Sequence, residues 1–130
     1  DCGGNQLETL NLTRQKELTW VQCLGNKLKN ILIPKDSKLR ELLCSQNELE
    51  HLDLENAQLL NELVCSQNKL TSLNIASNPV LGHLDCKENK IKDAFVLSFY
   101  RKWQYDRTKV NNKNRCKKHR KSTSKRLIIT

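Results

Sequence analysis

Residues 39–54 read LRELLCSQNELEHLDL and residues 60–75 read LNELVCSQNKLTSLNI, and the two stretches share the pattern L-x-x-L-x-C-x-x-N-x-L-x-x-L-x-L. Working outward from them, the spacing persists in both directions. Cys2, Cys23, Cys44, Cys65 and Cys86 recur with a 21-residue period, Asn5, Asn26, Asn47, Asn68 and Asn89 follow each by three, and Leu7, Leu28, Leu49, Leu70 and Ile91 follow by five. A period held through five cycles by three kinds of residue marks a solenoid, in which every turn repeats one structural unit. Aromatic residues are scarce and leucine abundant, so the core has to be aliphatic and built from many similar positions.

The unit L-x-x-L-x-L occurs twice per turn, so each turn has two similar halves. In L-x-L the side chains alternate: Leu42 and Cys44 point one way while Glu41, Leu43 and Ser45 point the other, as a half-buried strand requires. Leu52 and Leu54 alternate in the same way with His51, Asp53 and Glu55. The expectation is a strand on each side of every turn, with parallel strands of successive turns stacked at about 4.8 Å around an aliphatic core. A lone turn cannot bury enough apolar surface to offset the entropy of ordering it, so the turns must come as an array with capped ends.

This pattern resembles the leucine-rich repeats, specifically the short 21-residue class with nested periodicity known as IRREKO repeats, and the resemblance covers residues 1–97, about three quarters of the chain. It implies a right-handed leucine-rich-repeat solenoid of five turns, the first incomplete, and a ladder of asparagines satisfying backbone groups at the corners. It also implies that the outward side chains of the first strand contact a ligand.

Those outward positions form columns: Trp20, Glu41, Glu62 and His83; Gln22, Leu43, Val64 and Asp85; Leu24, Ser45, Ser66 and Lys87. Trp20, Leu24, Leu43 and Val64 would expose apolar surface on a face that solubility alone would keep polar, which is how partner sites often announce themselves. On the second strand, Thr9, Asn30, His51, Ser72 and Asp93 form one column and Asn11, Leu32, Asp53, Asn74 and Phe95 another. Neither converges on chemistry. His51 and His83 fall on different strands, and no serine or cysteine has an evident base, so no catalytic residue is expected and no cofactor.

The five periodic cysteines take the inward place that leucine holds in the other half of the turn and read as small buried hydrophobes. Parallel Cβ vectors at strand spacing lie slightly outside the usual disulfide range. Zinc ligands come in C-x-x-C pairs, which the chain lacks, so no metal is expected. An unpaired thiol column fits a reducing compartment better than an oxidising one. Asn11-Leu12-Thr13 matches the glycosylation sequon, a triplet that also arises by chance.

Past Val96 the leucine pattern stops. Val96, Phe99, Tyr100 and Trp103 recur at helical spacing with Ser98 as a capping residue, predicting a helical cap over residues 98–108 that covers the end of the core. Residues 109–130 read as a basic, disordered tail. The charge separates accordingly: residues 1–100 carry 11 Lys/Arg against 13 Asp/Glu, and residues 101–130 carry 12 against one, so the net charge of +9 belongs wholly to the tail. Cys116 lies outside the repeat register among cations that would lower its pKa, and is the cysteine expected to react.

No apolar run reaches the roughly 20 residues of a membrane-spanning helix, and nothing near Asp1 reads as a signal peptide. The sequence therefore points to a monomeric, non-catalytic module that binds another protein through Trp20, Gln22, Leu24, Glu41, Leu43, Glu62, Val64, His83 and Asp85. The competing reading is a nucleic-acid-binding or nuclear-targeted protein whose working part is the tail, with Arg115, Lys117, Lys118, Arg120 and Lys121 contacting phosphate or an import receptor.

Overall fold

A computed structural model describes residues 1–92 and the backbone of Leu127–Ile128. The described residues form a parallel β-solenoid of about four turns. Its strands are β1 (Thr9–Asn11), β2 (Trp20–Gln22), β3 (Asn30–Leu32), β4 (Glu41–Leu43), β5 (Glu62–Val64), β6 (His83–Asp85) and β7 (Leu127–Ile128). One sheet runs β2-β4-β5-β6-β7, every pair parallel, and β1 and β3 form a separate parallel pair.

The long sheet follows directly from the repeat. Trp20 lies opposite Glu41, Glu41 opposite Glu62 and Glu62 opposite His83, each one period further along the chain. The ladder continues past the strands at the cysteine: the Cys2, Cys23, Cys44 and Cys65 N–H groups donate to Gln22, Leu43, Val64 and Asp85 carbonyls at 2.8–2.9 Å. Inside, the columns Val21/Leu42/Leu63/Leu84, Cys23/Cys44/Cys65/Cys86, Leu28/Leu49/Leu70, Ile31/Leu52/Leu73, Ile33/Leu54/Ile75 and Leu39/Leu60/Leu81 are all buried in one cluster.

The second side departs from expectation. Among the described residues a strand on the second side of the turn forms only in the first two turns, where β1 pairs with β3. Residues 51–53 and 72–74 keep the inward–outward alternation, with Leu52, Leu54, Leu73 and Ile75 buried, but form no strand. Their outward residues bond to their own chain. Asp53 Oδ1 accepts from Glu55 N–H (2.9 Å) and Asn74 Oδ1 from Ala76 N–H (3.0 Å), as Asn11 Oδ1 does from Thr13 N–H (3.0 Å). Such Asx turns give the backbone a local partner, and they are compatible with a ladder, since Asn11 forms one within β1. In the second turn the equivalent acceptor is replaced by Leu32, and the residue that would donate to it is Pro34, which has no N–H. Both partners of the bond are absent together.

The corner after each buried cysteine needs a left-handed residue, and the chain meets that need in two ways. Gly4 and Gly25 have φ of 70° and 64°, while Gln46, Gln67 and Glu88 hold the same position with φ of 57°, 53° and 53°. Side chains there carry a steric cost of roughly 1–2 kcal/mol, which the surrounding turns impose.

The helical cap expected over residues 98–108 lies outside the described residues, as does the tail expected over 109–130 except for Leu127–Ile128. Those two residues extend the long sheet beyond β6, with Leu127 opposite Leu84 and Ile128 opposite Asp85. Among the described residues no helix is long and apolar enough to cross a membrane.

Candidate partner-binding face

The outward side chains of β2, β4, β5 and β6 share one face because their inward neighbours Val21, Leu42, Leu63 and Leu84 are fixed in the core. Register then sets the columns. Trp20, at 41% exposure the most open of the group, starts a row continued by half-buried Glu41, Glu62 and His83. Half-buried Gln22, Leu43, Val64 and Asp85 form the next row, in which Leu43 and Val64 lie directly side by side. Leu24 is half-buried beyond them. All nine residues singled out in the sequence thus occupy one surface.

Two features of this face carry a cost in the free protein. Glu41 and Glu62 are opposed at the spacing of adjacent strands, and neither forms an ion pair among the described residues. Like charges in that position repel. The ion pairs that do form lie elsewhere, each between side chains one period apart: Lys29–Glu8 (3.3 Å), Lys38–Glu17 (2.6 Å) and Lys69–Glu48 (2.9 Å). Hydrogen bonding to Lys69 holds the Glu48 carboxyl below its ordinary range and lifts Lys69 correspondingly. Among the described residues nothing comparable relieves Glu41 and Glu62. The second feature is the apolar strip of Leu43 and Val64 beside them.

In the third row Ser45 and Ser66 bond to each other. Ser45 is buried with its Oγ 2.8 Å from Ser66 Oγ, and Lys87 donates its N–H to Asp85 Oδ1 at 3.1 Å. The link between Ser45 and Ser66 was not anticipated, although two serines one period apart in a stacked row could have signalled it.

The asparagine column sits at the edge of this face. Asn26, Asn47, Asn68 and Asn89 each donate from Nδ2 to the cysteine carbonyl three residues before and to the cysteine carbonyl of the preceding turn, at 2.9–3.2 Å. Each also accepts on Oδ1 from the N–H of Leu7, Leu28, Leu49 or Leu70, at 2.9–3.1 Å. One side chain therefore clamps two turns. Sequence reading missed a further member, Asn78, which donates to the Leu54 and Ala57 carbonyls at 3.1 and 2.8 Å. Its signal was present: L-x-x-L-x-I-x-x-N over residues 70–78 repeats L-x-x-L-x-C-x-x-N over residues 60–68.

Burial controls the thiols. It pushes Cys23 up to about 12 and Cys86 up to about 11, and raises Cys44 and Cys65 as well, with neighbouring thiols adding to the effect at Cys23, Cys44 and Cys65. Protonated thiols are poor nucleophiles and poor metal ligands. Among the described residues no group of three His, Cys, Asp or Glu side chains could hold a metal ion. His51 is exposed on the second side and His83 lies on the sheet face. Cys116, Arg115, Lys117, Lys118, Arg120 and Lys121 lie outside the described residues.

The chain is thus a repeat solenoid with a parallel sheet along one side. No protein-family model matches it, and no curated protein matches it. Among solved structures it is similar to the functional domain of InlJ from Listeria monocytogenes, described as including a cysteine ladder, at 24% sequence identity and a TM-score of 0.49. That match covers 72% of this chain and 26% of the other, so the chain spans about a quarter of its length.

Proposed function

We propose that this chain is a leucine-rich repeat array of the 21-residue nested class, with the asparagine column as its ladder, and that it acts as a monomeric, non-catalytic module binding another protein through the outward face of its long sheet. The observation that carries this reading is the Glu41–Glu62 opposition, without an ion pair among the described residues, beside the Leu43–Val64 strip. A protein partner supplying apolar side chains and opposite charge would turn both costs into complementarity. Trp20 extends the patch with the residue type most often found at energetic centres of interfaces.

The test is affinity capture with the wild-type chain and with Leu43→Arg/Val64→Arg. Both positions are outward and half-buried, so the variant is expected to melt like wild type and to lose the captured protein. The charge of +11 over residues 101–130 favours the competing reading, in which the tail is the working part. Truncating the tail would also strip β7 from β6, so neutralisation separates the readings more cleanly. If changing Arg115, Lys117, Lys118, Arg120 and Lys121 to glutamine abolishes capture while Leu43→Arg/Val64→Arg preserves it, the sheet face is not the binding site.

A further inference from the structure

Charge is banded along the array. Residues 41–68 carry the acidic side chains Glu41, Glu48, Glu50, Asp53, Glu55 and Glu62 and no Lys or Arg, whereas residues 20–40 carry five Lys and Arg against Asp36 alone. The ion pairs among the described residues take Glu8, Glu17 and Glu48 and leave Glu41 and Glu62 aside. Arg40, next to Glu41 in the chain, is exposed and forms no ion pair among the described residues. Glu50, Asp53 and Glu55 are exposed, but Glu41 and Glu62 are half-buried and directly opposed in the long sheet. They are the two acidic groups of the band that most need a counter-charge.

Two spacings define what would supply it. Across the sheet Glu41 and Glu62 stand on adjacent parallel strands, about 4.8 Å apart at the backbone, and Trp20 stands one strand away on the other side of Glu41. Along the strands Leu43 and Val64 lie two residues beyond the glutamates on the same face, a rise of about 6.6 Å. One cation can therefore bridge both carboxylates while an apolar side chain about 6.6 Å away covers Leu43 and Val64. Arginine suits this seat better than lysine. Its planar guanidinium holds five N–H donors in a fixed fork, so it donates to two carboxylates at once, and it stacks on aromatic rings such as the indole of Trp20. The rise of about 6.6 Å is also the distance between residues i and i+2 of an extended chain.

We infer that the face selects an extended segment of a partner protein in which an arginine and an aliphatic residue stand two positions apart. The guanidinium lies between Glu41 and Glu62 beside Trp20, and the aliphatic side chain lies on Leu43 and Val64. This rests on the reading of the outward face as the binding surface and adds the side chains that surface recognises. Nucleic acid would bring phosphate against two carboxylates and is disfavoured here.

The probe is a set of immobilised peptides centred on Arg-x-Leu, matched by peptides with citrulline, lysine or glutamate in place of the arginine, all offered to the full chain. Citrulline keeps the shape of arginine and removes its charge. Retention on the arginine peptides is expected to exceed that on the citrulline and glutamate peptides by about ten-fold or more, with lysine between. Glu41→Gln/Glu62→Gln is expected to erase the preference and to melt no lower than wild type, since it relieves a like-charge pair. Equal retention of arginine and citrulline peptides, no retention of any peptide, or a preference that survives Glu41→Gln/Glu62→Gln each overturns the inference. If peptides are retained only after Arg115, Lys117, Lys118, Arg120 and Lys121 are changed to glutamine, the chain's own basic stretch is the occupant and the inference falls. It falls equally if light scattering shows a dimer that Glu41→Gln/Glu62→Gln dissociates. Loss of protein capture by Leu43→Arg/Val64→Arg with no arginine preference among the peptides refutes this inference and leaves the binding face standing.

Discussion

The two sides of each turn carry the same apolar alternation, yet one side is a continuous ladder and the other is a ladder only between its first two turns. Along the long sheet Leu42-Leu43-Cys44 and Leu63-Val64-Cys65 pair with the turns beside them. On the opposite side Leu52-Asp53-Leu54 and Leu73-Asn74-Ile75 bury their leucines and isoleucine equally well, and their backbones bond locally through Asp53 and Asn74. Burial of alternate residues fixes which way side chains point. It does not by itself decide where the backbone finds its hydrogen bonds.

The largest test of this difference removes an asparagine from each side. Asn68→Ala leaves the Leu49 N–H without its acceptor and takes one of two donors from each of the Cys44, Cys65 and Ser66 carbonyls. At about 1–3 kcal/mol for the unsatisfied N–H and about 1 kcal/mol for each other bond lost, the expected loss is about 3 kcal/mol or more. Asn78→Ala removes donation to only two carbonyls, and its own buried Oδ1 has no partner among the described residues. Its expected loss is about 1–2 kcal/mol. Equal losses in urea unfolding would mean that the two sides contribute alike.

A second test uses pH, because the inward column of the ladder side is cysteine where the other side has Ile33, Leu54 and Ile75. The buried thiols titrate higher in the folded chain than the ordinary value of 9.0, so the folded state keeps protons that the unfolded state releases. Their contribution is complete below pH 9 and is lost as pH rises toward about 11 and 12, where Cys86 and Cys23 titrate. Each titrating thiol steepens the decline by up to about 1.4 kcal/mol per pH unit. Cys23→Ala/Cys86→Ala should flatten the slope of unfolding free energy between pH 9 and 11. An unchanged slope would sink the assignment.

The smallest effect sharpens the account of the second side. Asp53→Ala should cost about 1 kcal/mol by releasing the Glu55 N–H, whereas Leu32→Asn should change stability by less than about 0.5 kcal/mol, since Pro34 offers no N–H to accept. Chemical denaturation of the two variants distinguishes them. A gain from Leu32→Asn as large as the loss from Asp53→Ala would show that the Asx turn acts through some other contact.

Much of this fold was legible because period and alternation are local, countable features. Val21, Leu42, Leu63 and Leu84 could be assigned inward, the nine face residues brought onto one surface, and the asparagines placed at the corner, all from spacing. The end of the second ladder could not be read, because Leu52-Asp53-Leu54 has the same alternation as the paired Leu10-Asn11-Leu12 and the same bond from its outward side chain to its own backbone. Asn78 was overlooked because the doubled motif was followed to its sixth place and not its ninth. The strand at Leu127–Ile128 had a signal too: the apolar run Leu127-Ile128-Ile129 follows a long polar stretch. A partner was not legible at all, since apolar and acidic side chains in register define a kind of surface and nothing more.

The asparagine column also has a mechanical meaning. Each of these side chains ties one turn to the next across a single boundary, so a load applied between the chain's ends is borne by one boundary at a time. The array should yield turn by turn, each step releasing one repeat, or about 7 nm of extended polypeptide. The molecule is then a series of equal fuses, in which the loss of one turn spares the turns behind it.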